Sequence, residues 1–362
     1  MTLSPFDDYP VHQIADVVRH VGTSDRNFYD RYYFNLHPCS DDLFAVIGMG
    51  QYPNLGVTDA FVTVVHDNMH RVVRASRALG PDRLDTRIGP ISVEVLEGLK
   101  RLRVVVEPNE WDVSLDITFQ GAEPAHLEPR HFHRQFERVL IDSCRLAQTG
   151  WWSGRLSVAG HDFEVTPDHW WGSRDRSWGV RPVGEPEPPG IRGTESPEGF
   201  FWLYVPMQFP DHSLFLSAQE RQDGSRVLEE ATRVWADGRS EHLGRPEHDI
   251  EFVPGTRRAA RARLRLGNLV VEATPVLPLE ITKGAGYGLD PDWRHGSWQG
   301  PLKVEGRSWD LSDPANQPSV FSVVDNLARF ECDGQTGWGL FEFAAIGPHD
   351  RYGFEGWDDV AG

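Results

Sequence analysis

The chain has 362 residues, 39% hydrophobic and 25% charged, with a formal net charge of −18. This is the composition of a globular chain long enough for two domains, not of a disordered one. The acidic surplus argues against nucleic acid and anionic membrane surfaces as partners, since both need a basic face.

From the N-terminus, Tyr9-Pro10 with Val11, Ile14 and Val18 at helical spacing and Gly22 beyond predicts one short helix. Strand patterns follow. Phe28 to Asn35 is rich in aromatics, and a polar turn at Ser40-Asp41-Asp42 leads into Leu43 to Ile47. Ala60 to Val65 and Arg71 to Ala75 flank a turn at Asp67-Asn68, and Ile91 to Leu96, Leu102 to Val106 and Val113 to Phe119 come next. Short strands with tight polar turns, 13 Trp, 35 Gly and 26 Pro predict an all-β protein with a roomy, partly polar interior.

Arg138 to Leu146 is a further strand, followed by Trp170 to Pro182, which carries Arg174-Asp175-Arg176 between tryptophans. Charges in such a setting must be paired or put to use, because desolvating them costs several kcal/mol. On a strand, Arg174 and Arg176 point to one face and Asp175 to the other. Residues 186–197 are rich in Pro and Gly and read as a linker between domains 1–185 and 198–362. The second half repeats the first in two places. Phe200 to Val205 and the turn before Leu214 echo Phe28 to Phe34 and the turn before Leu43, and Trp298 to Gly306 aligns without a gap to Trp152 to Gly160. We read an internal duplication, with the shared Trp-x-Gly as a hairpin.

The Trp152-x-Gly154 segment followed by Arg174-Asp175-Arg176-Ser177-Trp178-Gly179 resembles the AttH-like and carotenoid 1,2-hydratase (hydroxyneurosporene synthase) group. The resemblance implies two tandem lipocalin-like antiparallel β-barrels or sandwiches. It also implies chemistry on terpenoid- or polyketide-like molecules in an apolar pocket, with no cofactor and no metal.

Asp175 is the candidate acid, and Tyr287 and His295, in a Gly-rich run before Trp298, are candidate proton donor or base. Tyr33, Gln148, Trp171, Arg174, Arg176, Trp178 and Trp202 are candidate substrate contacts, with Trp178 facing developing positive charge. Against this, Asp175 reads as one half of a buried ion pair with another arginine, such as Arg181. His66/His70 and His131/His133 have spacings seen in metal sites, but neither pair has a third ligand in the sequence. Two functions are therefore carried forward: a cofactor-independent lyase or isomerase on a hydrophobic terpenoid-, steroid- or polyketide-like molecule, and a non-catalytic carrier of a lipophilic ligand. A homodimer is left open. Three scattered cysteines without a CxxC pair, a polar Met1 to Tyr9 and no apolar run of membrane length suggest a cytoplasmic protein without membrane insertion.

Overall fold

The computed structural model describes residues 3–135, 137–183 and 199–362. The first unit contains β1 (Phe28–Leu36), β2 (Leu43–Tyr52), β3 (Val57–His66), β4 (Met69–Ala78), β5 (Arg87–Ile88), β6 (Ile91–Glu97) and β7 (Arg101–Val106). It continues with β8 (Val113–Gly121), β9 (His126–Leu127), β10 (His131–Gln135), β11 (Arg138–Val158), β12 (His161–Val165) and β13 (Trp171–Val180). The second contains β14 (Phe200–Gln208), β15 (His212–Glu220), β16 (Arg226–Trp235), β17 (Ser240–His242), β18 (Glu247–Phe252), β19 (Ala259–Leu266) and β20 (Leu269–Glu280). β21 (Leu302–Asp310), β22 (Val324–Cys332) and β23 (Gln335–Ile346) complete the chain.

The strands form two antiparallel sheets, one curled nearly into a barrel and one a half-barrel: two lipocalin-like β-domains. Nine strands of the first run in the order β4-β3-β2-β1-β13-β11-β8-β7-β6, and the second runs β17-β16-β15-β14-β23-β22-β20-β19-β18. The two orders correspond strand for strand, so the duplication is written in the topology. The aromatic repeat falls where it should, on β1–β2 and β14–β15.

The Trp-x-Gly repeat does not. Trp152 lies inside β11, whose hairpin comes later at Ala159-Gly160, and Trp298 is exposed in the loop before β21. β21 leaves the second sheet altogether and pairs with β4 at the edge of the first. Arg74 of β4, fully buried, holds it there by pairing with Glu305, while its guanidinium lies 4.5 Å over the Trp293 ring. The nine-residue match thus joins two non-equivalent places.

The predicted N-terminal helix is also absent. Residues 9–22 form bends and turns, and the only helical turn nearby is a 3-10 turn at Pro5–Asp8, capped by Ser4. The apolar stripe of Val11 and Ile14 stays exposed, so a helix here has no core to bury and little to offset its nucleation cost. Asp7 instead gathers the loop, accepting from the Val18 amide and the His12 ring, each at 2.8 Å. The expected linker at 186–197 lies outside the described residues.

Three large apolar clusters among the described residues follow from the period-2 alternation of these strands. One fills the first barrel around Trp152 and Phe119, one fills the second around Phe201 and Phe343, and one lies between the sheets around Tyr33, Trp202 and Tyr204. Glu123 ties the sheets together at that boundary. It accepts from the Thr149 amide at 2.7 Å on the first sheet and from the Ser213 hydroxyl at 3.0 Å on the second.

Two outcomes are expected. Trp152 is fully buried and donates to the Asn35 carbonyl at 2.9 Å. Trp152→Ala should therefore cost about 3–5 kcal/mol in denaturant unfolding. Burial lifts the Glu123 carboxyl to about 7, against the pull of its Thr149 and Ser213 donors. An unfolded Glu titrates near ~4.3, so the folded chain binds more protons between those values. The stability this group contributes is complete below its unfolded pKa and is lost as pH rises through its folded pKa. Glu123→Gln should therefore narrow the difference between unfolding midpoints measured at about pH 5 and about pH 8.

Candidate active site

The two sheets meet back to back, β13 against β23 and β11 against β14. Where they part they enclose a cavity of about 320 Å³, a size suited to a small organic ligand. Alternate residues of β1 and β13, including Tyr29, Arg31, Tyr33 and Asp175, form one wall. Phe200 and Trp202 of β14 and Glu342 of β23 form the other, His131 enters from β10, and Glu128 and Tyr287 enter from connecting segments.

The duplication sets the chemistry of this chamber. In the first unit Tyr33 on β1 stands opposite Asp175 on β13; in the second, Tyr204 on β14 stands opposite Glu342 on β23. Each unit thus contributes one carboxylate from its last strand, flanked by a tyrosine from its first.

Asp175 has no hydrogen bond and no ion pair among the described residues, so the expected salt bridge to Arg181 is not formed. Burial holds its carboxyl above the ordinary range, opposed by the more distant charges of Arg145, Arg181, Arg31 and Arg174. The guanidinium groups have other engagements. Arg145 donates to Glu128 at 2.6 Å and lies 3.9 Å over the Tyr204 ring, and Arg181 lies 4.6 Å over Tyr29. Glu342 accepts from the Trp202 indole at 2.7 Å, and burial and the charge of Asp175 raise it against Arg145. Asp325, beside Glu342 on β22, accepts from the Tyr33 hydroxyl at 2.5 Å and is raised by burial and by Glu342. Burial also lifts Glu128 to about 7 despite Arg145. The wall therefore stores protons on carboxyl groups at pH values where exposed carboxylates have lost theirs.

Of the candidates read from the sequence, Asp175, Tyr33, Trp202 and Tyr287 line the chamber. His295 stands behind it. Its Nε2 donates to the Ala285 carbonyl at 2.8 Å, which leaves Nδ1 to accept from Arg31. Burial next to Arg31 keeps the ring neutral, so His295 positions Arg31, whose guanidinium lies 5.2 Å over Tyr287. Arg174, Arg176 and Trp178 occupy the other face of β13, around an open cavity of about 460 Å³ at the first barrel. Trp178 accordingly does not face Asp175: the parity that separates Asp175 from its arginines separates it from this indole too. Gln148 accepts from Arg174 at 2.8 Å and donates to the Leu99 carbonyl at 3.0 Å, away from the chamber. Trp171 bridges to His37 through its main chain and does not line the chamber.

The sequence reading missed Arg31, Glu128, Asp325 and Glu342. The usable signal was the one that exposed Asp175, a charge at alternate positions of a strand otherwise made of aromatics and aliphatics. Tyr29-x-Arg31-x-Tyr33 and Phe341-Glu342-Phe343 both show it. His131 lines the chamber and stacks on Trp202 at 6.4 Å, with burial lowering it to about 4. His70 is buried and hydrogen-bonds Thr63 at 2.6 Å, so it does not join His66.

A family model described as "Family of unknown function (DUF8625)" matches residues 3–355. No curated protein matches the sequence. Among solved structures, the chain is similar to an AttH-like protein of Nitrosomonas europaea, with TM-score 0.56 and 16% identity over 88% of this chain and 92% of that one. It is also similar to kievitone hydratase from Nectria haematococca, with TM-score 0.53 and 13% identity over 91% and 90% of the two chains. A third similar structure is CghA solved with Sch210972, with TM-score 0.50 and 10% identity over 88% and 89%. At these identities the likeness is one of fold, and it is the fold that the Trp-x-Gly and Asp175–Gly179 resemblance implies. Among the described residues no helix is long and apolar enough to cross a membrane.

Proposed function

The chain belongs to that family of unknown function, membership of which names no reaction, and from the chamber itself we propose a cofactor-independent lyase or isomerase of hydratase type. Its substrate is a hydrophobic small molecule, of terpenoid, steroid or polyketide kind, held between the two sheets. The observation that carries this reading is Asp175: a carboxyl raised by burial, without a direct partner, facing aromatic side chains across a ligand-sized cavity. That one structural neighbour is named a hydratase agrees with it.

In the proposed reaction, the π-electron pair of a substrate alkene takes the proton of Asp175. One C–H bond forms, the C=C bond becomes single, and positive charge develops on the other carbon. Trp202, Tyr29 and Tyr287 border the cavity where that charge develops. Arg145, Arg181 and Arg31 steady the Asp175 carboxylate that remains. A water oxygen then bonds to the cationic carbon and gives up its proton to the Asp175 carboxylate left by the first step. That transfer restores the acid, and the net change is addition of one water. Loss of a proton from another carbon instead of capture of water gives an isomer.

The test uses the ligand that co-purifies with the chain, identified by mass spectrometry. Asp175→Asn keeps the shape and, with no pair to break, should leave the melting temperature nearly unchanged. Turnover should fall by roughly 10²–10⁴-fold with ligand affinity retained. Because the acid must be protonated, parent activity should be full below the raised pKa of Asp175 and decline as pH rises through it. Retained turnover in the variant refutes the assignment. A collapsed melting temperature shows that the carboxylate is structural, and a parent that binds without turnover points to a carrier.

A further inference from the structure

A second constellation lies at the hairpin tips of the first unit. The β3–β4 turn presents His66 and Asp67, and the β11–β12 turn presents His161. Their three ligand atoms lie within 4.8 Å of one another. His66 Nε2 is 3.3 Å from Asp67 Oδ2, and His161 Nδ1 is 3.9 Å from the same oxygen.

The orientation of His66 is fixed from behind. Its Nδ1 sits 2.8 Å from the Asp42 carbonyl oxygen, which only accepts, so Nδ1 carries the hydrogen. In the neutral ring Nε2 then has a lone pair and no hydrogen. That nitrogen is buried without a hydrogen-bond partner among the described residues, although a carboxylate oxygen is its near neighbour. A lone pair held against a carboxylate is unfavourable unless a proton or a metal ion lies between them. A backbone carbonyl that orients a histidine through its far nitrogen is also the usual support of a metal-binding ring. The Phe163 ring, 5.4 Å from His66 at 88°, braces the imidazole from the side.

We propose that His66, Asp67 and His161 form a binding site for a divalent transition metal, Zn²⁺ by the two-imidazole, one-carboxylate donor set, with water completing the coordination. Bonds of about 2.0–2.2 Å require the exposed Asp67 and His161 side chains to close in on the fixed His66 ring. The metal joins two hairpins that are distant in sequence and clamps that end of the first barrel. The site is independent of the chamber chemistry.

The experiment is calorimetric titration of Zn²⁺ into the untagged full chain after chelation and dialysis, with the Co²⁺-loaded chain as a spectroscopic check. One saturable site is expected, with visible Co²⁺ absorption stronger than that of the aqueous ion and a melting temperature raised by Zn²⁺. His161→Ala and Asp67→Asn alter exposed side chains, and Asn tolerates the positive φ of 51° at position 67. Each should weaken binding at least ~10-fold and remove the thermal gain. Absence of a saturable site in the parent, or unchanged affinity in both variants, overturns the proposal.

Discussion

The structure depends on one costly arrangement: a wall of carboxyl groups between two β-sheets, with Glu128 and Asp325 buried and Asp175 and Glu342 half-buried. Burial of Asp175, Glu128, Asp325 and Glu342 is tolerated because each has a specific compensation or keeps its proton. Arg145 offsets Glu128, the Tyr33 hydroxyl supports Asp325, and the Trp202 indole supports Glu342. Asp175 alone has only distant arginines. A protein selected for stability alone gains nothing from such a carboxyl, and perturbed acids of this kind cluster at functional sites.

Duplication explains how the arrangement arises. Two copies of one strand order, packed through β13 and β23, place equivalent positions face to face. A carboxylate on the last strand of each copy therefore appears twice in the same chamber, as Asp175 and Glu342. The copies have diverged around them. Where the first wall carries Arg31, held by His295, the second carries Trp202, whose indole grips Glu342. One carboxyl is consequently tied to the Trp202 indole and the other has no hydrogen bond among the described residues.

Much of this was legible from the sequence, because strand alternation is a local signal. The aromatic-rich starts of β1 and β14, their polar turns and the position of Asp175 on the face opposite Arg174 and Arg176 all follow from it. The same alternation, carried two residues further, would have turned Trp178 away from the chamber. What was not legible depends on contacts far apart in the chain. Tyr33 meets Asp325 across 292 positions, and Arg31 meets His295 across 264. The Trp298 repeat misled because a strand inserted between β20 and β22 crosses to the other sheet, and nine matched residues carry no information about which sheet they join. The helix at 9–22 had the right spacing but no surface to bury its stripe against.

The central claim is that Asp175 keeps its proton in the folded chain beyond the range of an ordinary carboxyl. Infrared difference spectra between the parent and its Asp175→Asn variant isolate the carbonyl stretch of this one group as pH is raised. A protonated-carboxyl band is expected to persist well above the ordinary aspartate value of about 3.9. A band already gone at or below that value would mean that the arginines win over burial, and the chamber would then have no acid at Asp175.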